Sequence, residues 1–313
     1  MIKTEENLKK WPRTSLSDVK DHVPVMWEEI LNNLNLQNTK ILVDATLGLG
    51  GYAAKILERN IFNGKYIGID KDEESLKLSK QRLSVFQKDI EFIHQDFRNL
   101  DVALKSSGID RVDGFIFDLG VSMYQLTFSE RGFSFLKEGP LDMRMDRYSS
   151  LSAYDLVNNL SEKELSYILR EFGQERFHKR IAQKIVMQRK LNPISTTCQL
   201  TDIITSSLPS YIKTKAIHPA TRSFQALRIA VNNELEVLKE GLDKAIGFLN
   251  AGGRICVISF HSLEDRIVKQ CFVKAKNEGV LKLITPKPLI CSEFERKLNI
   301  HSRSAKLRVA EKI

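Results

Sequence analysis

The 313-residue chain reads as an α/β protein: a mostly parallel, doubly wound sheet with a helical domain inserted into it. Three observations predict this. Apolar strand-like runs alternate with helix-like segments through the first third of the chain. The first strand breaks into a glycine loop, VDATLGLGGYA from Val43 to Ala53, and an acid, Asp70, closes the next strand-like run. The alternation then stops for roughly 100 residues, longer than an ordinary connection, before sheet-like sequence resumes.

Candidate strands are 41–46, 65–70, 90–96 and 112–119, separated by helical segments near 52–59, 72–85 and 98–107. In the loop, Gly48, Gly50 and Gly51 allow a tight turn and a close approach to a ligand, and the helix that follows aims its N–H groups at the same place. Asp70 stands where a carboxylate accepts both hydroxyls of a ribose. Between Ser122 and about His218, LSAYDLVNNL, SEKELSYILREFG and RFHKRIAQKIVMQRK read as helices, so the sheet domain is expected at 1–121 and 219–313 and the insert at 122–218. An amphipathic helix is expected over about 222–248, then a strand in GGRICVISF (252–260), a helix over 262–276, and late strands in LKLIT and AKLRVAEKI.

With 42% apolar residues the chain can bury a substantial core. Its start, MIKTEENLKKWPR, is charged and has no apolar leader core, and no apolar run approaches the ~18 residues a bilayer span needs, so a cytoplasmic protein is expected. Cys198, Cys256, Cys271 and Cys291 show no C-x-x-C spacing and read as free thiols rather than disulfides or metal ligands. The net charge of +9 permits a polyanionic partner without requiring one. Its local distribution is more pointed. Arg176, Arg180 and Lys184 recur at i, i+4 and i+8 in an acid-free stretch, beside Phe177, Ile181 and Ile185, which have core spacing. That stripe is either a solvated helix face or a contact for RNA phosphates.

Two ligands suit the glycine loop. Gly48 to Ala53 satisfies G-x-G-x-x-[GA], which fits a dinucleotide such as NAD and hence an oxidoreductase. The strand ends tilt the reading toward S-adenosylmethionine. Asp44 lies where it would repel a pyrophosphate and attract an amino acid's ammonium, Asp96 and Phe97 stand near the expected adenine, and Asp118 stands beside the expected methyl donor.

Eight blocks then occur in order: HVPVMWEE from His22, DATLGLGG, DLGVS, ERGFSF with GPLDMRMD, FGQERF, HPATRSFQALRI, FHSLEDR and SRSAKLR. Together they resemble the ribosomal RNA small-subunit (cytosine-N4)-methyltransferase family, RsmH or MraW, over nearly the whole chain. The resemblance implies a Rossmann-like class I S-adenosylmethionine-dependent methyltransferase fold. It also implies N4-methylation of a decoding-region cytidine, position 1402 of 16S ribosomal RNA, with that RNA in the small subunit as partner and no metal. Carried over block by block, it places the cofactor on Gly50, Gly51, Tyr52, Asp70, Phe97, Asp118 and Gln125. Tyr52 stands where many relatives have histidine, Met123-Tyr124 departs from the usual sequence after DLGVS, and Asn299-Ile300-His301 replaces the usual lead-in to SRSAKLR.

Several roles stay open on the sequence. Asp118 is the leading candidate to accept a hydrogen bond from the cytidine amino group, with the backbone carbonyls of Leu119 and Gly120 as alternatives. His261 is either a general base or a helix cap. Arg222, Gln225 and Arg228, at i, i+3 and i+6, either grip RNA phosphates or tie the two domains together. Asp142, Arg144, Asp146 and Arg147 form either an ion-paired loop or a lip for substrate. A non-catalytic ribosome assembly factor remains an alternative, and the sequence leaves a homodimer open.

Overall fold

Five parallel strands form most of the sheet: β1 (Ile41–Asp44), β2 (Lys65–Asp70), β3 (Ile90–His94), β4 (Val112–Asp118) and β5 (Leu249–Ser259). β6 (Leu281–Leu283) and β7 (Leu289–Ile290) both pair antiparallel with β8 (Lys306–Lys312), which runs antiparallel to β5. The order is β3-β2-β1-β4-β5-β8-β6, as expected for a doubly wound sheet. The computed structural model describes residues 23–86, 89–213 and 218–313, together with the backbone but not the side chains of Lys213, Ile300 and His301. His22 and the charged start of the chain, and the side chains of the Ile300-His301 departure, lie outside the described residues.

Parallel strands covered on both faces must be apolar throughout, and β4, VDGFIFD, is buried over most of its length. The order reverses between β1 and β4, which opens a crevice beyond their C-terminal ends. Asp44 and Asp118 end those two strands.

One helix, α1 (Trp27–Asn33), precedes β1, and three follow the first strands: α2 (Gly51–Glu58), α3 (Glu73–Leu83) and α4 (Leu100–Ser106). The insert supplies α5 (Met123–Thr127), α6 (Ala153–Asn159), α7 (Glu162–Glu171), α8 (His178–Arg189), α9 (Thr197–Ser207), α10 (Ser210–Lys213) and α11 (Thr221–Asn232). Then come α12 (Glu234–Phe248), α13 (Ser262–Asn277) and α14 (Glu293–Leu298). Ile30, Ile56 and Leu83, from α1, α2 and α3, pack on one sheet face, and Leu104, Leu242 and Phe272, from α4, α12 and α13, on the other. The insert has its own core around Leu156, Leu169, Ile181 and Leu200. Reciprocal caps start four of its helices: Ser122 with Gln125, Ser152 with Asp155, Ser161 with Glu164 and Thr196 with Gln199.

Two boundaries differ from the sequence reading. The helix expected over 222–248 is two helices, because Asn233 adopts a left-handed conformation (φ 48°) that asparagine tolerates better than most residues. α11, beyond residue 218, sends Phe224, Leu227 and Val231 into the insert's core. Finally, α8 begins at His178, so Arg176 precedes the helix and only Arg180 and Lys184 lie on it.

Candidate active site

The loop after β1 is built to leave space. Leu47 N–H donates to Ile69 O and Gly50 N–H donates back to Leu47 O, which closes the turn. Gly48 and Gly50 have φ of 52° and 70°, the left-handed region that glycine enters without penalty. A Cβ on Gly51 would come within 2.9 Å of Pro24 Cγ, so the missing side chain lets the segment before α1 close over the loop. Tyr52, one residue into α2, extends the same closure by donating its hydroxyl to Val25 O at 2.6 Å.

A cavity of about 480 Å³ lies in the crevice, lined by Gly48, Asp70, Phe97, Asp118, Gln125 and their neighbours. That size suits a nucleoside-bearing ligand. Asp70 is fixed by two backbone donors, Gly48 N–H at 2.7 Å and Asp72 N–H at 2.8 Å, and each oxygen keeps a further lone pair for a ligand. Phe97 stands edge-on to Phe117 with centroids 5.5 Å apart. Behind it Gly241 is bare of side chain, since a Cβ there would lie 2.5 Å from Phe97 Cδ2.

Asp118 is the most unusual of these groups. Its backbone N–H donates to Thr46 Oγ1 at 2.6 Å, but its buried Oδ1 has no hydrogen-bond partner among the described residues. Burial pushes its carboxyl up to about 8, with help from the charges of Asp44 and Glu264 and against the opposing effect of the nearby Tyr52 hydroxyl. Burial likewise raises Asp44 to about 7 and Asp70 to about 6, although backbone N–H donors at Thr46 and at Asp72 and Gly48 work in the opposite direction. Three desolvated carboxyls around one loop create a field that favours a cationic ligand and disfavours a diphosphate.

At the far end the cavity is closed by Phe260 from the end of β5, by Glu264 from α13, and by Arg228 and Glu234 on either side of the break at Asn233. Arg228 Nε and Nη2 each donate at 2.9 Å to the two oxygens of Glu234. Glu264 Oε2 accepts from the backbone N–H of Phe260 and His261. The Glu264 carboxyl is held below its usual range by His261 and Arg228, against the opposing effect of burial.

Residues 19–313 match the MraW methylase family. The chain belongs to that family. It is 48% identical to the ribosomal RNA small subunit methyltransferase H of Citrifermentans bemidjiense, over 93% of this chain and 98% of that one. The proteins of the same name from Caldicellulosiruptor saccharolyticus and Clostridioides difficile are 48% and 42% identical, over 94% and 93% of this chain and 99% of each relative. Among solved structures there is a loose likeness to an rRNA methylase from Streptococcus thermophilus, with a TM-score of 0.43 and 14% identity over 92% of this chain and 93% of that one. MraW methylases depend on S-adenosylmethionine. The residues of this family member fit that cofactor: the cavity is large enough, Asp70 presents free lone pairs, and an unpartnered carboxylate oxygen awaits a donor or a cation.

In this MraW-family chain, Gly51, Tyr52, Asp70, Phe97, Asp118 and Gln125 all reach the cavity wall. Gly50 does not. It caps α2 from behind, facing Leu83 and Ser79, and shapes the turn. Gln125 reaches the wall with its amide already engaged, Oε1 accepting from Ser122 N–H and Nε2 donating to Asp72 Oδ2. Asp96 turns away from the cavity to cap Arg98 N–H and pair with Lys71.

His261 is not brought to the cavity either. Its Nδ1 accepts from Glu264 N–H, so the ring caps α13, and its buried Nε2 lies 3.0 Å from Glu264 Oε1 without making a hydrogen bond among the described residues. Arg228 is likewise not on an outer face. It is inside, clamped on Glu234, while Arg222 is exposed and donates to Gln174 O. Arg180 is exposed and Lys184 half-exposed, and neither has an ion-pair partner among the described residues. In the acid-base loop, Arg144 pairs internally with Asp142, whereas Arg147 reaches Glu74 in the sheet domain. Sequence reasoning missed Glu234 and Glu264 altogether, although Glu264 lies three residues after His261, the spacing of a reciprocal cap.

Proposed function

We propose that this MraW methylase transfers a methyl group from S-adenosylmethionine to the exocyclic N4 of a decoding-region cytidine in small-subunit ribosomal RNA. The observation that carries the reading is the unpartnered Asp118 Oδ1, buried at the end of β4 within a cavity ringed by desolvated carboxyls. The relatives' names supply the RNA, and the residues supply the chemistry.

When bound, the cofactor presents a methyl group on a positively charged sulfur. N4 of cytosine is a weak nucleophile because its lone pair is delocalised into the ring. Asp118 Oδ1 accepts a hydrogen bond from the amino group, which pyramidalises the nitrogen and steadies the positive charge that grows on it. The bound cofactor would supply its methyl carbon to the N4 lone pair while its sulfur keeps the electron pair of the broken bond, and the surplus N4 proton would pass to solvent as the product leaves. Asp70 orients the ribose, Phe97 walls the adenine, and the closure of Pro24 and Val25 over the loop excludes water. The target base must be unstacked to enter such a crevice, which favours a single-stranded or distorted site. Arg180 and Lys184, on the exposed face of the insert, suit the RNA backbone beyond that base.

The test is incubation of the protein with methyl-labelled S-adenosylmethionine and unmodified small subunits or their RNA, followed by nucleoside mass spectrometry. N4-methylcytidine at the decoding site is the expected product. No label in either substrate, with cofactor binding intact by calorimetry, overturns the reading in favour of an assembly factor.

A further inference from the structure

The far end of the cavity carries a donor that the proposed reaction has not used. Arg228 commits Nε and Nη2 to Glu234, and Nη2 lies 3.9 Å from Glu264 Oε1. Among the described residues its hydrogen bonds run from Nε and Nη2, and none from Nη1. That nitrogen stands beside Gly120, where a Cβ would be 4.0 Å from it and 3.8 Å from Phe260 Cδ2. Gly120 follows Asp118 by two residues and holds φ at 94°, so the backbone turns sharply there and bears no side chain between Arg228 and the cavity.

The cavity lining therefore includes two residues with a polar atom left over, Asp118 with its buried acceptor Oδ1 and Arg228 with its donor Nη1, and the phenyl ring of Phe260 lies beside Gly120 near the second. The Watson–Crick edge of cytosine presents the matching pair on adjacent atoms, a donor at N4 and an acceptor at N3. Uracil presents the opposite pattern, an acceptor at O4 and a donor at N3, and would set like against like at both positions. The guanidinium is also well prepared for the task. Glu234 holds its plane, and the nearby Glu264 keeps it charged and in place. An arginine held this firmly loses little freedom when it makes one more bond.

We propose that Arg228 reads the target base: clamped by Glu234, it donates from Nη1 to N3 of the flipped cytosine while Asp118 receives N4. This rests on the N4-methylation reading above. It makes Arg228 a specificity determinant within the cavity instead of a contact for RNA phosphates.

The test uses the full-length protein and small subunits reconstituted with RNA carrying 3-deazacytidine at the target position, where a C–H replaces N3 and the amino group stays. The carbon delocalises the amine less, so the altered base is the better nucleophile in solution, and slower turnover would report lost recognition. Wild-type kcat/KM is expected to fall about 10- to 100-fold on the deaza substrate, the range for a hydrogen bond to a charged donor. Arg228→Lys keeps a cation for Glu234 but loses the second arm of the fork. It should lose a similar factor on the normal substrate and no more than about twofold further on the deaza substrate, with S-adenosylhomocysteine affinity unchanged. Equal wild-type turnover of both substrates overturns the proposal whether or not the variant folds, and so do fully multiplicative losses in the variant. If wild type makes no N4-methylcytidine on the normal substrate, it is the methylation reading that fails; if it does and the deaza result is flat, only the role of Arg228 fails.

Discussion

Asp118 ends a buried strand with one carboxylate oxygen unpartnered, an arrangement that destabilises the empty protein. Its carboxyl titrates near 8 in the folded chain against 3.8 when unperturbed, so between those values the folded state holds a proton that the unfolded state has released. Stability from this group therefore falls as pH rises, reaching its low plateau above about 8. Asp118→Asn should thus gain more in melting temperature at pH 8 than at pH 4 in scanning calorimetry of the cofactor-free protein; a loss at pH 8 would refute the assignment. The same variant, or Asp118→Ala, should lower methyl transfer at least 100-fold while RNA affinity by filter binding stays unchanged. Because the charge of Asp44 helps to raise Asp118, Asp44→Asn should shift the acid limb of the kcat/KM profile to lower pH. At this scale the sequence was most legible where side chains follow strand ends, as at Asp70, Phe97 and Asp118. It was least legible at Arg228 and Glu234, whose meeting depends on a single left-handed asparagine that the amphipathic pattern does not announce. His261 looked like a base because histidine can be one; its place as a helix cap was written in the glutamate three residues on.

Four helices of the insert begin at serine or threonine caps, whereas α8 follows Phe177 and α11 follows Ala220 with no side-chain cap. Ser161 receives Glu164 N–H at the start of α7 on an exposed turn, far from the cavity wall. Ser161→Ala should cost about 1 kcal/mol in urea unfolding and leave kcat unaltered. α8 presents Arg180 and Lys184 outward while Ile181 and Ile185 are buried, so the expected amphipathic division is real even though the stripe is one residue shorter. Arg189, on the same helix, is occupied instead with the carbonyls of Val157 and Leu160. Replacing Arg180 and Lys184 together by alanine should weaken RNA binding and reduce the slope of log K against log salt by about 1.5. An unaltered slope would return α8 to the role of a solvated face. The merged helix over 222–248 was a natural misreading, since α11 and α12 are each amphipathic but aim their apolar faces at different cores.

Across the whole molecule, the sheet and the insert are held together by Arg131, whose side chain is 1% exposed. Its Nη1 donates to Asp72 and Glu74 beneath the cofactor loop, and its Nη2 donates to the carbonyls of Arg144 and Met145 in the insert. Asp72 in turn supplies the backbone N–H that fixes Asp70. Arg131→Met should therefore cost about 3–5 kcal/mol in chemical denaturation, because it strands a buried carboxylate. It should also weaken S-adenosylhomocysteine binding measured by calorimetry, through the loosening of Asp70. Periodicity made the sheet domain and the existence of an insert legible, but a tie of this kind joins segments distant in sequence and leaves no periodic trace. The insertion also sets an order of assembly. β4 and β5 pair side by side at the centre of the sheet, yet about 130 residues separate them, and closing so long an unstructured span would cost about 4 kcal/mol of chain entropy. A folded insert shortens that span, so β1, β2 and β3 can associate early while the central seam waits for the insert. Backbone amides of β1–β3 should gain protection before those of β5 in pulsed hydrogen exchange. The cofactor cavity draws its walls from both sides of that seam and is then the last part of the molecule to exist: a nascent chain gains nothing from the cofactor until folding is nearly complete, and the cofactor acts as a late lock on a finished sheet.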